Sequence, residues 1–222
     1  ELIGNTVRGS IIAPPGKKLV IADLSNIEGR VAAWLAGEEW KLQAFRNFDA
    51  GDGPDLYILA YAKSFNVPPE SVPKKGPERQ IGKVEELMFQ YGGGVGAWIT
   101  GAATYGIDLV KMTEQVYPSL PARAVEEAEQ FLEWLEDAPR KVYAKAVEKH
   151  ATDGDALLAA HEKLEAALLK VRHGLAPKVS VACDAIKRLW RSAHPKISTY
   201  WKDLEDTVRA AVASPGTPLQ CR

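Results

Sequence analysis

From residue 27 onward, apolar positions recur every three or four residues, the spacing of helices with one buried face. The pattern predicts helices over Ile27 to Leu35, Trp40 to Phe48 and Asp55 to Phe65, with Asp55 near the start of the third. A loop rich in Pro and Gly follows (Pro68, Pro69, Pro73, Gly76, Pro77). Another helix then runs from Glu78 to about Tyr91, and Gly92-Gly93-Gly94 stops it. Further helices are expected over Arg123 to Leu135, Lys141 to His150, Asp155 to Val171, Ala176 to Trp190 and Ile197 to Ala213. One segment has a different period. Residues 1–17 read as loop, and Lys18 to Ser25, with Leu19-Val20-Ile21-Ala22, reads as a buried strand. The expected class is therefore α/β, with helix dominant.

Two segments carry candidate chemistry. In Arg79-Gln-Ile-Gly-Lys83-Val-Glu-Glu-Leu87-Met-Phe-Gln-Tyr91, four residues stand four apart, which aligns them on one slowly drifting helical stripe. At 1.5 Å per residue the stripe is about 18 Å long. Two cations, an apolar side chain and an aromatic ring in that order suit a nucleoside triphosphate lying along the helix. The other reading of Arg79 and Lys83 is a solvated basic face paired with Glu85 and Glu86. The second segment is Asp23-Leu24-Ser25-Asn26-Ile27-Glu28-Gly29-Arg30, where an apolar run ends in one carboxylate and a second follows five residues later. A carboxylate at a strand end suits a metal ligand. Asp23 could equally cap the helix that follows, Glu28 could be a solvated glutamate, and Arg30 a surface ion-pair partner.

These spacings resemble the palm and fingers of family A DNA polymerases, the class of bacterial DNA polymerase I, and most of all the phage-encoded branch. The family's first palm motif, Asp-Tyr-Ser-Gln-Ile-Glu-Leu-Arg, is matched by residues 23–30. Its fingers pattern of Arg, Lys, an aromatic and Tyr-Gly falls on Arg79, Lys83, Leu87 and Tyr91-Gly92. Leu42-Gln-Ala-Phe45 and Asp55-Leu56-Tyr57 fall where the family has an Ala-Phe and an Asp-Ile-His segment. The ordered match runs from about Arg8 to Gly94.

The resemblance implies template-directed transfer of a nucleotide from a dNTP to a primer 3′-hydroxyl during DNA replication, with two Mg²⁺ ions. Asp23 and the Leu24 carbonyl would hold metal. Glu28 would exclude a ribose 2′-hydroxyl and accept a hydrogen bond from Tyr91, and Arg30 would support the carboxylates. Arg79 and Lys83 would bind the triphosphate, Lys83 also serving as a proton donor to the leaving pyrophosphate, and Tyr91 would work beside the templating base. Leu87, Tyr57 and Gly29 depart from the pattern: leucine cannot stack as an aromatic would, and a helical glycine costs up to about 1 kcal/mol against alanine.

Residues 1–67 are then expected to be partial palm. Residues 68–222 would be fingers, carrying the nucleotide-binding helix 78–91 and a helical insertion at about 120–175. The second palm motif has no counterpart, since no His-Asp pair occurs, and the thumb is missing too. The chain thus reads as part of a longer polypeptide, inactive alone. Its expected partners are primer-template DNA, dNTP and the remainder of the polymerase. A noncatalytic nucleic-acid-binding helical protein of polymerase ancestry is the alternative. An RNA-synthesising relative is a second, which the carboxylate of Glu28 disfavours.

Composition changes this picture little. In 222 residues the formal net charge is −1, so any phosphate-binding surface must be local. Cys183 and Cys221 fit free thiols in a reducing cytoplasm, that of a bacterial host if the source is a phage. No apolar run approaches the roughly 20 residues of a membrane span. His150, His161, His173 and His194 are spread along the chain and read as surface residues, and Trp190, Tyr200 and Trp201 as core. Lys187, Arg188, Arg191 and Lys196 read as a solvated basic face, some of which could face template phosphates.

Overall fold

The computed structural model describes residues 6, 7 and 9–220. Arg8, where the resemblance begins, and Cys221 lie outside the described residues. Helices α1 (Ile27–Ala36), α2 (Glu39–Ala50), α3 (Leu56–Phe65) and α4 (Pro77–Phe89) come first, followed by α5 (Val95–Thr104) and α6 (Leu109–Val116). Helices α7 (Ala122–Lys149) and α8 (Gly154–Val171) pack together as a long hairpin, and α9 (Pro177–Ala193) and α10 (Pro195–Ala213) close the series. The ends are built as the sequence suggests. Gly37 and Gly51 take the left-handed conformation that terminates α1 and α2. One oxygen of Asp55 accepts the amides of Tyr57 and Ile58 at 3.0 Å, capping α3.

The expected strand is absent. Among the described residues there is no β-strand; Lys18 to Leu24 is irregular chain, with Val20 and Ile21 84% and 90% exposed. A strand exists only when its backbone groups pair with a neighbour, and no described residue offers one. The architecture is therefore helical, and the α/β expectation is corrected on this point. A second correction concerns α7, which is one helix where two were expected. It runs through Pro139, and although that residue removes a backbone donor, the Arg140–Glu136 and Lys141–Asp137 pairs (2.6 and 2.7 Å) span the gap.

The main core joins residues of α4 to α7, α9 and α10, among them Val84, Phe89, Trp98, Ile186, Trp190 and Ile197. A smaller cluster, Ala33, Ala44, Phe45 and Leu56, joins α1, α2 and α3. Helices α3 and α4 approach closely because position 82 is glycine; a Cβ there would run into the Tyr57 carbonyl. Gly29 has a similar reason. A Cβ would lie 2.5 Å from Asn26 Oδ1 and 3.2 Å from Gln90 Oε1, so the apparent departure is a requirement of packing.

At the centre lies a charge network. Glu86 is fully buried and forms an ion pair with the equally buried Lys41. Its Oε1 accepts the Trp190 indole N–H at 3.0 Å and lies 3.1 Å from His194 Nε2. The His194 ring stacks on Trp190 at 4.0 Å, with Nδ1 2.8 Å from the Trp190 carbonyl. That carbonyl is an acceptor only, so Nδ1 carries a proton. His194 is thus a central residue, against the expectation of a surface one. Glu85 and Glu86 are likewise buried, not solvated partners of Arg79 and Lys83; Glu85 meets the Ser64 hydroxyl at 3.2 Å. Lys187 is also buried, paired with Asp184, which Arg188 contacts at 2.5 Å. Cys183 is free, and burial pushes its thiol up to about 12, leaving it inert as a nucleophile. Among the described residues no helix is long and apolar enough to cross a membrane.

The two neighbouring glutamates have opposite linkage. Burial alone would raise Glu86, but Lys41 and His194 outweigh it and bring its carboxyl down to about 2. Its stabilisation is present above the unfolded carboxylate range and is lost as pH falls toward 2. Glu85 is pushed well up by burial, only partly offset by Ser64. It keeps its proton longer in the fold, so its contribution declines as pH rises from the unfolded value to the folded one. Glu86→Gln, which leaves Lys41 without its counter-charge, should cost about 3–5 kcal/mol at neutral pH. Glu85→Gln should instead raise neutral-pH stability and flatten its decline as pH rises above the unfolded carboxylate range. Urea denaturation of both variants across that range checks the pair, and equal signs would refute the assignment.

Candidate functional site

Helix α4 begins with Pro77 at its first position, pre-set for helical φ. Its Arg79, Lys83 and Leu87 are half-buried and share the predicted stripe. Tyr91 lies just past the helix end and is about half exposed. Leu87 contributes an apolar surface between the cations and the ring.

Both cations are held. Arg79 Nε donates to Asp55 Oδ2 at 2.7 Å, and its guanidinium lies 5.2 Å from the centre of the Tyr57 ring. The Asp55 contact uses Nε, which leaves the edge between the two terminal nitrogens for another acceptor. Asp55 therefore does two things at once: one oxygen caps α3 and the other orients Arg79. Lys83 Nζ sits 4.3 Å from the centre of the Tyr105 ring, a cation–π contact with the residue just past α5.

The upstream segment reaches this stripe at one point. Glu28 lies in the first turn of α1, near enough for its carboxylate to act on the Tyr91 phenol. Burial raises the phenol above its usual range, and the Glu28 hydrogen bond and charge raise it further. Asp23 and Leu24 are exposed in the irregular stretch before α1, and the Leu24 carbonyl accepts the Ile27 amide at 3.3 Å. Asn26, in the left-handed conformation, turns the chain from that stretch into the helix. Arg30 is engaged elsewhere: it grips both oxygens of Asp49 at 2.7 Å, reaches the Ser25 carbonyl at 3.0 Å and lies over Phe45. Glu28 and Tyr91 are thus brought together, Arg79, Lys83 and Leu87 stand in line, and Asp23 and Leu24 stand apart from them.

Hard oxygen donors at Asp23 and Leu24 suit Mg²⁺ in kind. Two donors are fewer than an octahedral ion needs, and among the described residues no group of three or more Asp, Glu, His or Cys could hold a metal. These residues would fit an ion only with phosphate, water and a further carboxylate completing its shell.

Sequence reasoning missed three residues here. Asp55 was legible as a cap but not as the partner of Arg79. Trp201 and Arg191 hold the turn after α4, Trp201 Nε1 donating to the Gln90 carbonyl at 2.7 Å and Arg191 to that of Gly93 at 3.2 Å. No local pattern marks contacts across 111 and 98 residues of chain.

Comparison with known proteins bears on this arrangement. A DNA polymerase of Bacillus phage SP02 is 40% identical over 116 residues, 52% of this chain and 17% of the relative. A DNA polymerase I of Pseudomonas aeruginosa is 36% identical over 89 residues, 40% of this chain and 9% of the relative. A DNA polymerase of Mycobacterium phage D29 is 34% identical over 89 residues, 40% of this chain and 13% of the relative. This chain is similar to a short segment of these DNA polymerases. It spans less than a fifth of the length of these polymerases. No family model and no solved structure matches it.

The double use of Asp55 can be separated. Asp55→Asn retains an acceptor for the cap and loses the charge opposite Arg79, a half-exposed pair worth little to stability. Asp55→Ala loses the cap as well and should cost about 1 kcal/mol more. Thermal or urea melts of the two variants measure the difference, which should vanish if Asp55 is no cap.

Proposed function

We propose that this chain supplies part of the palm and the fingers of a DNA-directed DNA polymerase. The enzyme would transfer a nucleotide from a dNTP to a primer 3′-hydroxyl and release pyrophosphate. What carries the reading is the meeting of Glu28 and Tyr91 at the end of a helix that presents Arg79 and Lys83 in line. Two motifs remote in sequence meet where sugar and base of a triphosphate on that stripe would lie.

In this reading the forked end of Arg79 binds terminal phosphate oxygens in bidentate fashion. Lys83 supplies a compact charge nearer the reacting phosphate and is placed to give a proton to the leaving group. Leu87 contacts sugar and base by apolar surface alone. Glu28, fixed by Tyr91, occupies the space of a 2′-hydroxyl and so favours deoxynucleotides. Tyr91 stands beside the templating base. Asp23 and the Leu24 carbonyl would supply oxygen ligands to Mg²⁺, whose part in such chemistry is to neutralise charge on the attacking and leaving oxygens. Template DNA would need a local basic surface, since the chain as a whole is nearly neutral.

Binding of dNTP to this chain in Mg²⁺, followed by fluorescence or calorimetry, tests the nucleotide half directly. Arg79→Ala and Lys83→Ala should each weaken it by about 10- to 100-fold, the worth of a charge-assisted hydrogen bond. Binding indifferent to both would overturn the reading, and DNA binding with no dNTP binding would favour the noncatalytic alternative. Primer extension by this chain alone should not be detectable, because one carboxylate cannot assemble the metal centre.

A further inference from the structure

We infer that Trp201 and Arg191 are positioning residues for Tyr91, forming a latch that fixes the turn after α4 and through it the meeting of Tyr91 with Glu28. The inference rests on the role proposed for Tyr91, and its residues lie outside the motifs that suggested that role.

A helix leaves its last carbonyls without partners. In α4 two remote side chains satisfy the carbonyls around the turn: the Trp201 indole takes that of Gln90 at 2.7 Å, and Arg191 takes that of Gly93 at 3.2 Å. Between them the chain reverses at Gly92, whose φ of +75° is one that residues with a side chain rarely adopt. The Trp201 ring fills the space beside it, 3.7 Å from where a Cβ of residue 92 would stand. The residues before and after Tyr91 are therefore both set by Trp201. The Tyr91 ring is itself half exposed, so packing alone does not decide its direction.

The latch also closes on α1. Glu38, buried just past the end of α1, accepts the amides of Lys196 and Ile197 at 2.9 and 3.2 Å and caps α10. Helix α10 carries Trp201, which holds Gln90. The Gln90 side chain in turn packs against Gly29, next to Glu28. The path from α1 through Glu38, α10, Trp201 and Gln90 returns to α1, so the separation of Glu28 and Tyr91 is over-determined. An indole serving only as bulk would not need its N–H aimed at a helix-end carbonyl.

The test incorporates 3-fluorotyrosine at position 91 of this chain and follows its phenol titration by ¹⁹F NMR. Burial and Glu28 should hold the phenol above the value of the free amino acid, and Glu28→Gln should lower it. Trp201→Phe, which keeps most of the ring and removes the donor, should lower it in the same direction with the melting midpoint little changed. Arg191→Met should do likewise, and Arg191→Lys should restore it in part. Arg191 is exposed, so its variants remain informative if Trp201→Phe folds poorly. A Tyr91 titration that ignores both substitutions, with or without a loss of stability, overturns the latch. The underlying reading fails differently. In the intact polymerase, Glu28→Ala should relax selection of dNTP over rNTP by many-fold, and the latch variants should relax it several-fold while changing KM more than kcat. If Glu28→Ala leaves selection unaltered while the Tyr91 titration responds, the latch stands and the gate reading falls.

Discussion

The buried carboxylate of Glu86 is the constraint on which the other parts of this molecule depend. A charge without water must be matched by partners in fixed places. Here these come from three elements: Lys41 on α2, Trp190 on α9, and His194 at the junction of α9 and α10. Both oxygens are engaged, so α4 cannot rotate or slide without stranding a charge. Apolar packing would tolerate small shifts between helices; this network does not. Because Glu86 lies between Lys83 and Leu87 in sequence, the same constraint sets the rotation of the half-buried stripe. The direction in which Arg79 and Lys83 present their charges follows from a contact on another side of their helix.

The local structure was largely legible in the sequence. Asp55 caps a helix as its residue type suggests, Gly37 and Gly51 end helices, and the 3.6-residue pattern found most helices to within a turn. The errors have physical causes. The run Leu19-Val20-Ile21-Ala22 has strand composition, but strand formation is a property of a pair, and composition reports one member only. Glu85 and Glu86 read as surface residues because glutamate is rarely buried without a partner. Their partners come from chain far away in sequence, as the 104-residue separation of Trp190 and Glu86 illustrates. His194 was misread for the same reason. Gly29 looked like a weakness in α1 until its neighbours were known; the Gln90 amide needs the space that a side chain would take.

The candidate site divides along the same line. Its cationic stripe, Leu87 and Tyr91 stand on or just past α4, which is packed into the core, with Glu28 on the neighbouring α1, and the motifs that marked them were read from local spacing. Asp23 and Leu24 stand in exposed chain beside an apolar run and beside the exposed Ile27, Val31 and Trp34 of α1. Contiguous exposed apolar surface of this kind ordinarily marks an interface. In the proposed function that surface lies where the remainder of a palm would pack, which would bury the run and stiffen the position of Asp23. In that proposal the nucleotide half of the site would be a property of this chain, and the metal half a property of the larger assembly.

The ion pair of Arg79 with Asp55 looks at first like an obstacle to phosphate binding. Magnitudes argue otherwise. Both side chains are more than a quarter exposed, and a pair so placed gains at most about 1 kcal/mol. A bidentate contact to phosphate is charge-assisted on both sides and about twice as strong as a neutral hydrogen bond. Asp55 also binds through Nε, so phosphate on the terminal nitrogens need not displace it. A carboxylate in that position restrains a long side chain before the ligand arrives, and reduces the ordering cost of binding. Its second oxygen is committed to the cap of α3, so the restraint is anchored to a rigid element. A weak pair is what the proposed site requires, since a strong one would hold Arg79 against the phosphate proposed for it.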